Sequence, residues 1–127
     1  MDYVNLIMLI ALVEYIAFIL IVGGTRNRYG VLAPETTGNE TWERFHRVQV
    51  NTTEQLVLFL PSIYSFAYYI SELWATGLGF VYLLGRIIYF FAYKNSPEKR
   101  MIGAAMTTFP SYIMVFGAIT GVIYNLI

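Results

Sequence analysis

Arg47, Asn51 and Glu54 fall at offsets i, i+4 and i+7, a spacing that stacks a guanidinium, an amide and a carboxylate along one narrow helix face. The stretch that carries them, Thr41 to Pro61, starts charged and amphipathic and runs without a break into apolar sequence. A second set, Arg86, Tyr89 and Tyr93, sits at i, i+3 and i+7, again one face of one helix. Arg100 follows at the end of the polar run 94–100. Several arginines suit carboxylates through forked hydrogen bonds, Glu54 suits an ammonium, and Gln49 and Asn51 suit peptide amides. A small zwitterionic peptide with extra carboxylates fits this inventory. An anionic lipid headgroup fits the arginines but leaves Glu54 without a use.

The elements that must hold these groups read as membrane helices. The chain has 127 residues, 57% of them hydrophobic, and a mean hydropathy of +0.58, too apolar for an ordinary water-soluble fold. The expected fold is all-α, an integral membrane bundle of four helices over about residues 3–23, 41–71, 76–93 and 97–125, forming one domain across 1–127. The first segment is long enough to cross a hydrocarbon core of about 30 Å. Its start, Met1-Asp2-Tyr3, lacks the basic n-region of a signal peptide, so the segment is expected to be retained.

Gly23-Gly24 ends the first helix, and 25–40 reads as a loop. Glu72 to Thr76 reads as a turn that places Trp74 at headgroup level. Ser96 followed by Pro97 reads as an N-cap with proline at the first position of the fourth helix. Pro61 and Pro110 are candidate kinks. Asn39 and Asn51 each begin a glycosylation tripeptide, but the topology puts both on the wrong side of the membrane. Of the eight basic residues, Arg26, Arg28, Arg44, Arg47, Lys94, Lys99 and Arg100 lie in or beside the first and third connections. That asymmetry places those two connections in the cytoplasm. Two polar stripes, and Arg100 opening the fourth helix, then bring three helices together on one pocket at that side.

Glu14, Glu54 and Arg86 fall within or at the edge of predicted spans, at a cost of about 2.5–3.5 kcal/mol each at a helix centre unless paired or hydrated. Arg86 either pairs with a carboxylate or lines a ligand cavity; the tyrosines near it either line the same cavity or face lipid. His46, the single histidine, reads as part of a solvated helix face, and no metal site is expected. With no cysteine, thiol chemistry must arrive with a ligand. Net charge is zero and no basic run interleaves with aromatics, so nucleic acid is not an expected partner.

Glu43-Arg44 with Arg47, Val48, Asn51 and Glu54, followed by Gly85-Arg86, Tyr89, Tyr93 and Arg100, resembles the MAPEG family, the membrane-associated proteins in eicosanoid and glutathione metabolism. The resemblance extends over nearly the whole chain, including Thr36-Thr37-Gly38 in the first connection. It implies a homotrimer that binds glutathione between neighbouring subunits near the cytoplasmic surface. It further implies that Arg26, Arg47, Gln49, Asn51, Glu54, Arg86, Tyr89 and Tyr93 contact glutathione. Arg100 matches the arginine that stabilises the glutathione thiolate.

Two positions depart from the leukotriene synthase branch: Asn27 stands in place of a second arginine, and Gln55 in place of a ligand-contacting tyrosine. The expected activity is therefore the more general one. Bound glutathione, the co-substrate, attacks a lipophilic electrophile or reduces a lipid hydroperoxide, and membrane lipid delivers the apolar partner. Two other readings stand beside it. A non-catalytic lipid-binding or scaffold relative would share the fold without turnover, and a small four-helix multidrug transporter would use Glu14.

Overall fold

The computed structural model describes residues 1–95 and 97–127. Four long helices dominate it: α1 (Asp2–Gly24), α3 (Glu40–Tyr69), α4 (Glu72–Asn95) and α5 (Met101–Leu126), with a one-turn α2 (Arg26–Tyr29) in the first connection. A 3-10 turn, Pro97–Lys99, precedes α5. By length and composition α1, α4 and α5 are each able to cross a membrane. In α3 the charged first half and apolar second half form one continuous helix of 30 residues.

Helix ends follow local chemistry. Asn39 caps α3, its side-chain oxygen accepting from the Trp42 N–H at 3.0 Å. α4 starts at Glu72, not at Thr76, because Ser71 caps it: Ser71 Oγ accepts from the Trp74 N–H at 3.2 Å. The expected turn at 72–76 is therefore the first turn of a helix, and Trp74 is exposed on it. α5 starts at Met101 with Arg100 at its N-cap position, later than the expected 97. The predicted Ser96 cap lies outside the described residues. The first connection, read as loop, contains α2, which Gly30 ends in the left-handed conformation at φ 72°. Pro61 and Pro110 both lie inside helices.

The core is built in three layers. Val4, Ile7 and Ala11 of α1 pack with Phe59 and Ile63 of α3, Tyr82 of α4 and Met114 of α5. Phe18, Val48, Tyr89 and Tyr93 form the next layer, and Val22, Val31, Trp42 and Phe45 close the end beneath the first connection. Outward faces stay apolar: Leu9, Val13, Leu20, Phe91, Phe109 and Phe116 are all exposed. Such faces suit lipid as solvent, where association depends on close packing more than on hydrophobic exclusion. Gly103 supplies that closeness between α5 and α4, since a Cβ there would stand 2.5 Å from the Tyr89 nitrogen.

Candidate functional site

The candidate site begins with Arg86, which the α4–α5 contact buries to 1% exposure. Its Nε donates to Thr107 Oγ1 of α5 at 3.0 Å, and its Nη1 donates to Asn51 Oδ1 at 3.0 Å and Thr52 Oγ1 at 2.9 Å on α3. Both threonine hydroxyls in turn donate to helix carbonyls, Thr107 to Gly103 and Thr52 to Val48. Each acceptor is thereby held in one rotamer. The guanidinium also lies 4.4 Å over the Tyr89 ring. Arg86 thus clamps three helices through neutral acceptors, with no carboxylate within ion-pair distance among the described residues. Ion pairs among the described residues are Met1 with Glu72 and Arg44 with Glu40.

From Arg86 the polar groups continue toward the helix ends. Tyr89 and Tyr93 are both buried, their rings 5.5 Å apart. The Arg100 guanidinium lies 5.5 Å from the Tyr93 ring. Arg47, exposed on α3, has the Tyr93 side chain as its foremost electrostatic partner. One tyrosine therefore gathers an arginine from α3 and another from the start of α5. Glu54 is exposed two turns beyond Arg47 on the same side. Beside Asn51, Gln55 presents a buried Oε1 with no hydrogen-bond partner. An acceptor enclosed in that way is costly until a donor reaches it.

Arg26 and Gln49 are placed elsewhere. Arg26 stacks 4.5 Å over Trp42 and donates from Nη1 to the carbonyls of Val31 at 3.1 Å and Glu35 at 2.7 Å. Trp42 is fully buried and donates from Nε1 to the Val22 carbonyl at 2.9 Å, which ties the start of α3 to the end of α1 across the first connection. Gln49 follows Trp42 by two turns and shares its face of α3. Asn51 and Arg47 lie roughly 140–180° around the helix from Trp42. Within one chain the proposed contacts thus divide into a main set of seven (Arg47, Asn51, Glu54, Arg86, Tyr89, Tyr93, Arg100) and a pair facing the other way.

Other expectations change in detail. His46 is half-buried and stacks on Trp42 with centroids 5.2 Å apart, so it is not part of a solvated face. Thr52 and Thr107 were missed by sequence reasoning. Their signal is present: a threonine in a buried helix face next to an obligate cation is a ready acceptor. A groove of about 400 Å³ runs between α3 and α5, lined by Val57, Pro61, Ser62, Ala118 and Ile119 among others. It lies on the apolar half of α3, away from the arginines, and begins at Val57, three residues after Glu54.

A family model described as "MAPEG family" matches residues 4–120. The "Uncharacterized protein sll1147" of Synechocystis sp. is 46% identical over 121 residues, covering 95% of this chain and 88% of its own. "Microsomal glutathione S-transferase 2" of Homo sapiens is 37% identical over 86 residues, 68% of this chain and 58% of its own. "Leukotriene C4 synthase" of Cavia porcellus is 38% identical over 84 residues, 66% of this chain and 56% of its own. The matches to these two named enzymes span less than two thirds of their length. The family model covers nearly all of the chain, which belongs to the MAPEG family.

Proposed function

We propose that the protein is a membrane glutathione transferase, with glutathione peroxidase activity toward lipid hydroperoxides as a second outcome of the same thiolate. The observation that carries this reading is the gathering of Arg47 and Arg100 around Tyr93, next to an Asn51 fixed by buried Arg86. Two exposed guanidinium groups over a polar face suit the carboxylates of the tripeptide, Glu54 suits its ammonium, and the Asn51 and Gln55 amides suit its backbone. Family membership and the names of the relatives support the choice of ligand.

The proposed chemistry is thiol activation. A free thiol has a pKa of about 8.5, and a neighbouring guanidinium lowers it, raising the thiolate fraction near neutral pH. Arg100, at the open end of the site, takes that role. The thiolate sulfur then bonds to an electrophilic carbon of a lipophilic substrate, whose leaving group or ring oxygen takes the electron pair.

Arg26 and Gln49 cannot reach the main set within one chain, because they occupy the opposite face of α3. A pocket between neighbouring subunits, as in the homotrimer the resemblance implies, would unite one copy's pair with the next copy's seven. In this reading α3 is the fourth span, and the arginine-rich connections face the cytoplasm.

The test is conjugation of glutathione to chlorodinitrobenzene by protein purified in detergent. Turnover that falls at least tenfold on Arg100→Ala, with unchanged assembly, is the expected result. Turnover unaffected by that substitution removes Arg100 as thiolate partner. Glutathione binding without turnover on any electrophile or hydroperoxide would favour a non-catalytic relative.

A further inference from the structure

Glu14 is a charged residue within a predicted span that the proposed site does not use. It lies half-buried on α1, and its Oε1 is enclosed without a hydrogen-bond partner. Across the bundle, Tyr82 of α4 is fully buried with its ring stacked on Phe59 at 3.7 Å, and its hydroxyl is likewise enclosed without a partner. One turn further along α4 stands Arg86. An arginine stays protonated inside a protein, and the hydrogen-bond partners of Arg86 are the neutral side chains of Thr107, Asn51 and Thr52. A full positive charge therefore sits at 1% exposure with dipoles around it and no counter-charge in contact. Such a charge is costly unless balanced. Ala11 and Phe18, one turn to either side of Glu14, pack in the same clusters as Tyr82 and Tyr89, one turn to either side of Arg86, which sets Glu14 at the level of the guanidinium.

We propose that Glu14 is a positioning residue: its carboxylate balances the buried guanidinium of Arg86 from across the bundle and, through Arg86, fixes Asn51 and Tyr89. The separation exceeds ion-pair contact, so the coupling runs through space or through a bridging water. A carboxylate oxygen and a phenol hydroxyl, both enclosed and both without protein partners, are the groups such a water joins. The relay to the site is geometric. One nitrogen, Nη1, serves Asn51 Oδ1 and Thr52 Oγ1 together, so any shift of the guanidinium moves the Asn51 amide whose NH2 is left for a ligand carbonyl. Only this last link rests on the glutathione reading.

The experiment is a double-mutant cycle of Glu14→Gln and Arg86→Met on the detergent-purified protein, read by thermal unfolding and by glutathione binding. Gln keeps the shape of Glu and removes its charge; Met fills much of the space of Arg without one. Glu14→Gln should lower Tm by about 5–10 °C with Arg86 present and by less than about 2 °C in Arg86→Met. It should weaken glutathione binding about tenfold in the first background and leave it unchanged in the second. Equal Tm losses in both backgrounds, or no loss in either, overturn the proposal. A coupled Tm loss with glutathione affinity unmoved overturns the relay to Asn51. Should the wild type bind no glutathione, the proposed function fails, and the unfolding cycle still decides the Glu14–Arg86 pairing. If Arg86→Met does not fold, Arg86→Gln replaces it in the cycle; if neither folds, Glu14→Gln is compared with Glu14→Asp, where a balancing charge predicts recovery and no recovery overturns it.

Discussion

Arg86 Nη1 on α4 donates to Asn51 Oδ1 on α3 at 3.0 Å, and this bond joins the two stripes that the sequence presents as separate helix faces. Thr107 of α5 completes the clamp at 3.0 Å. The consequence is a site whose inner wall is structural and whose outer rim, Arg47, Glu54 and Arg100, is exposed. Substitutions should therefore separate into two groups, those that loosen the bundle and those that spare it and remove ligand contacts.

Thr107→Val tests the inner wall. It keeps the shape of the side chain and deletes one acceptor of a charged donor, which costs about 1.5–3 kcal/mol. Thermal unfolding in detergent should fall accordingly. An unchanged Tm would mean that Thr107 does not hold Arg86.

Gly103→Ala tests the approach of α5 to α4. The added Cβ would meet the Tyr89 backbone at 2.5 Å from nitrogen and 2.6 Å from Cα, atoms that cannot swing away as a side-chain tip can. Separation of the helices by overpacking should cost about 1–3 kcal/mol and dislodge Tyr89 from the site. Gly77→Ala is the control. Nothing lies within 4 Å of its Cβ position, and alanine there should stabilise α4 by about 1 kcal/mol.

Trp42→Phe tests the first connection. It removes the hydrogen bond to the Val22 carbonyl and weakens the platform under Arg26, for a loss of about 1–2 kcal/mol. Limited proteolysis within residues 31–39 should accelerate. Resistance equal to the wild type would place the stability of that segment elsewhere.

The pH dependence follows from the sign of the charge at Arg100. A cation beside the thiol lowers its pKa from about 8.5, so more thiolate is present at a given neutral pH. Arg100→Ala should move the rising limb of the pH–rate profile to higher pH, with the loss in rate large near neutrality and small above the thiol's free pKa. A profile that keeps its midpoint while the whole rate falls would assign Arg100 to binding instead.

The long helices and the composition of the site were legible because both depend on local signals: apolar length for α1, α4 and α5, and i, i+4, i+7 spacing for Arg47, Asn51 and Glu54. Helix starts were read less well, since the same residues serve two roles. Ser71 looked like the end of a helix and is the cap of the next one; Trp74 looked like an interfacial turn residue and is in the first turn of α4. The sequence also suggested that Arg86 would pair with a carboxylate or line a cavity. Among the described residues its partners are hydroxyls and an amide, because the Gly103 approach brings the Thr107 hydroxyl within reach, and such an approach is invisible without the packing of α5 on α4. The separation of Arg26 from Arg47 was hidden for a related reason: Trp42 captures Arg26 on the far side of α3.

The central claim is that the Arg47, Tyr93 and Arg100 cluster receives glutathione, and a calorimetric glutathione isotherm on the detergent-purified protein tests it most directly. The account predicts saturable binding by the wild type, weakened at least tenfold by Arg47→Ala with an unchanged unfolding profile. A folded wild-type protein that binds no glutathione, or binds it equally well after Arg47→Ala, would contradict the account.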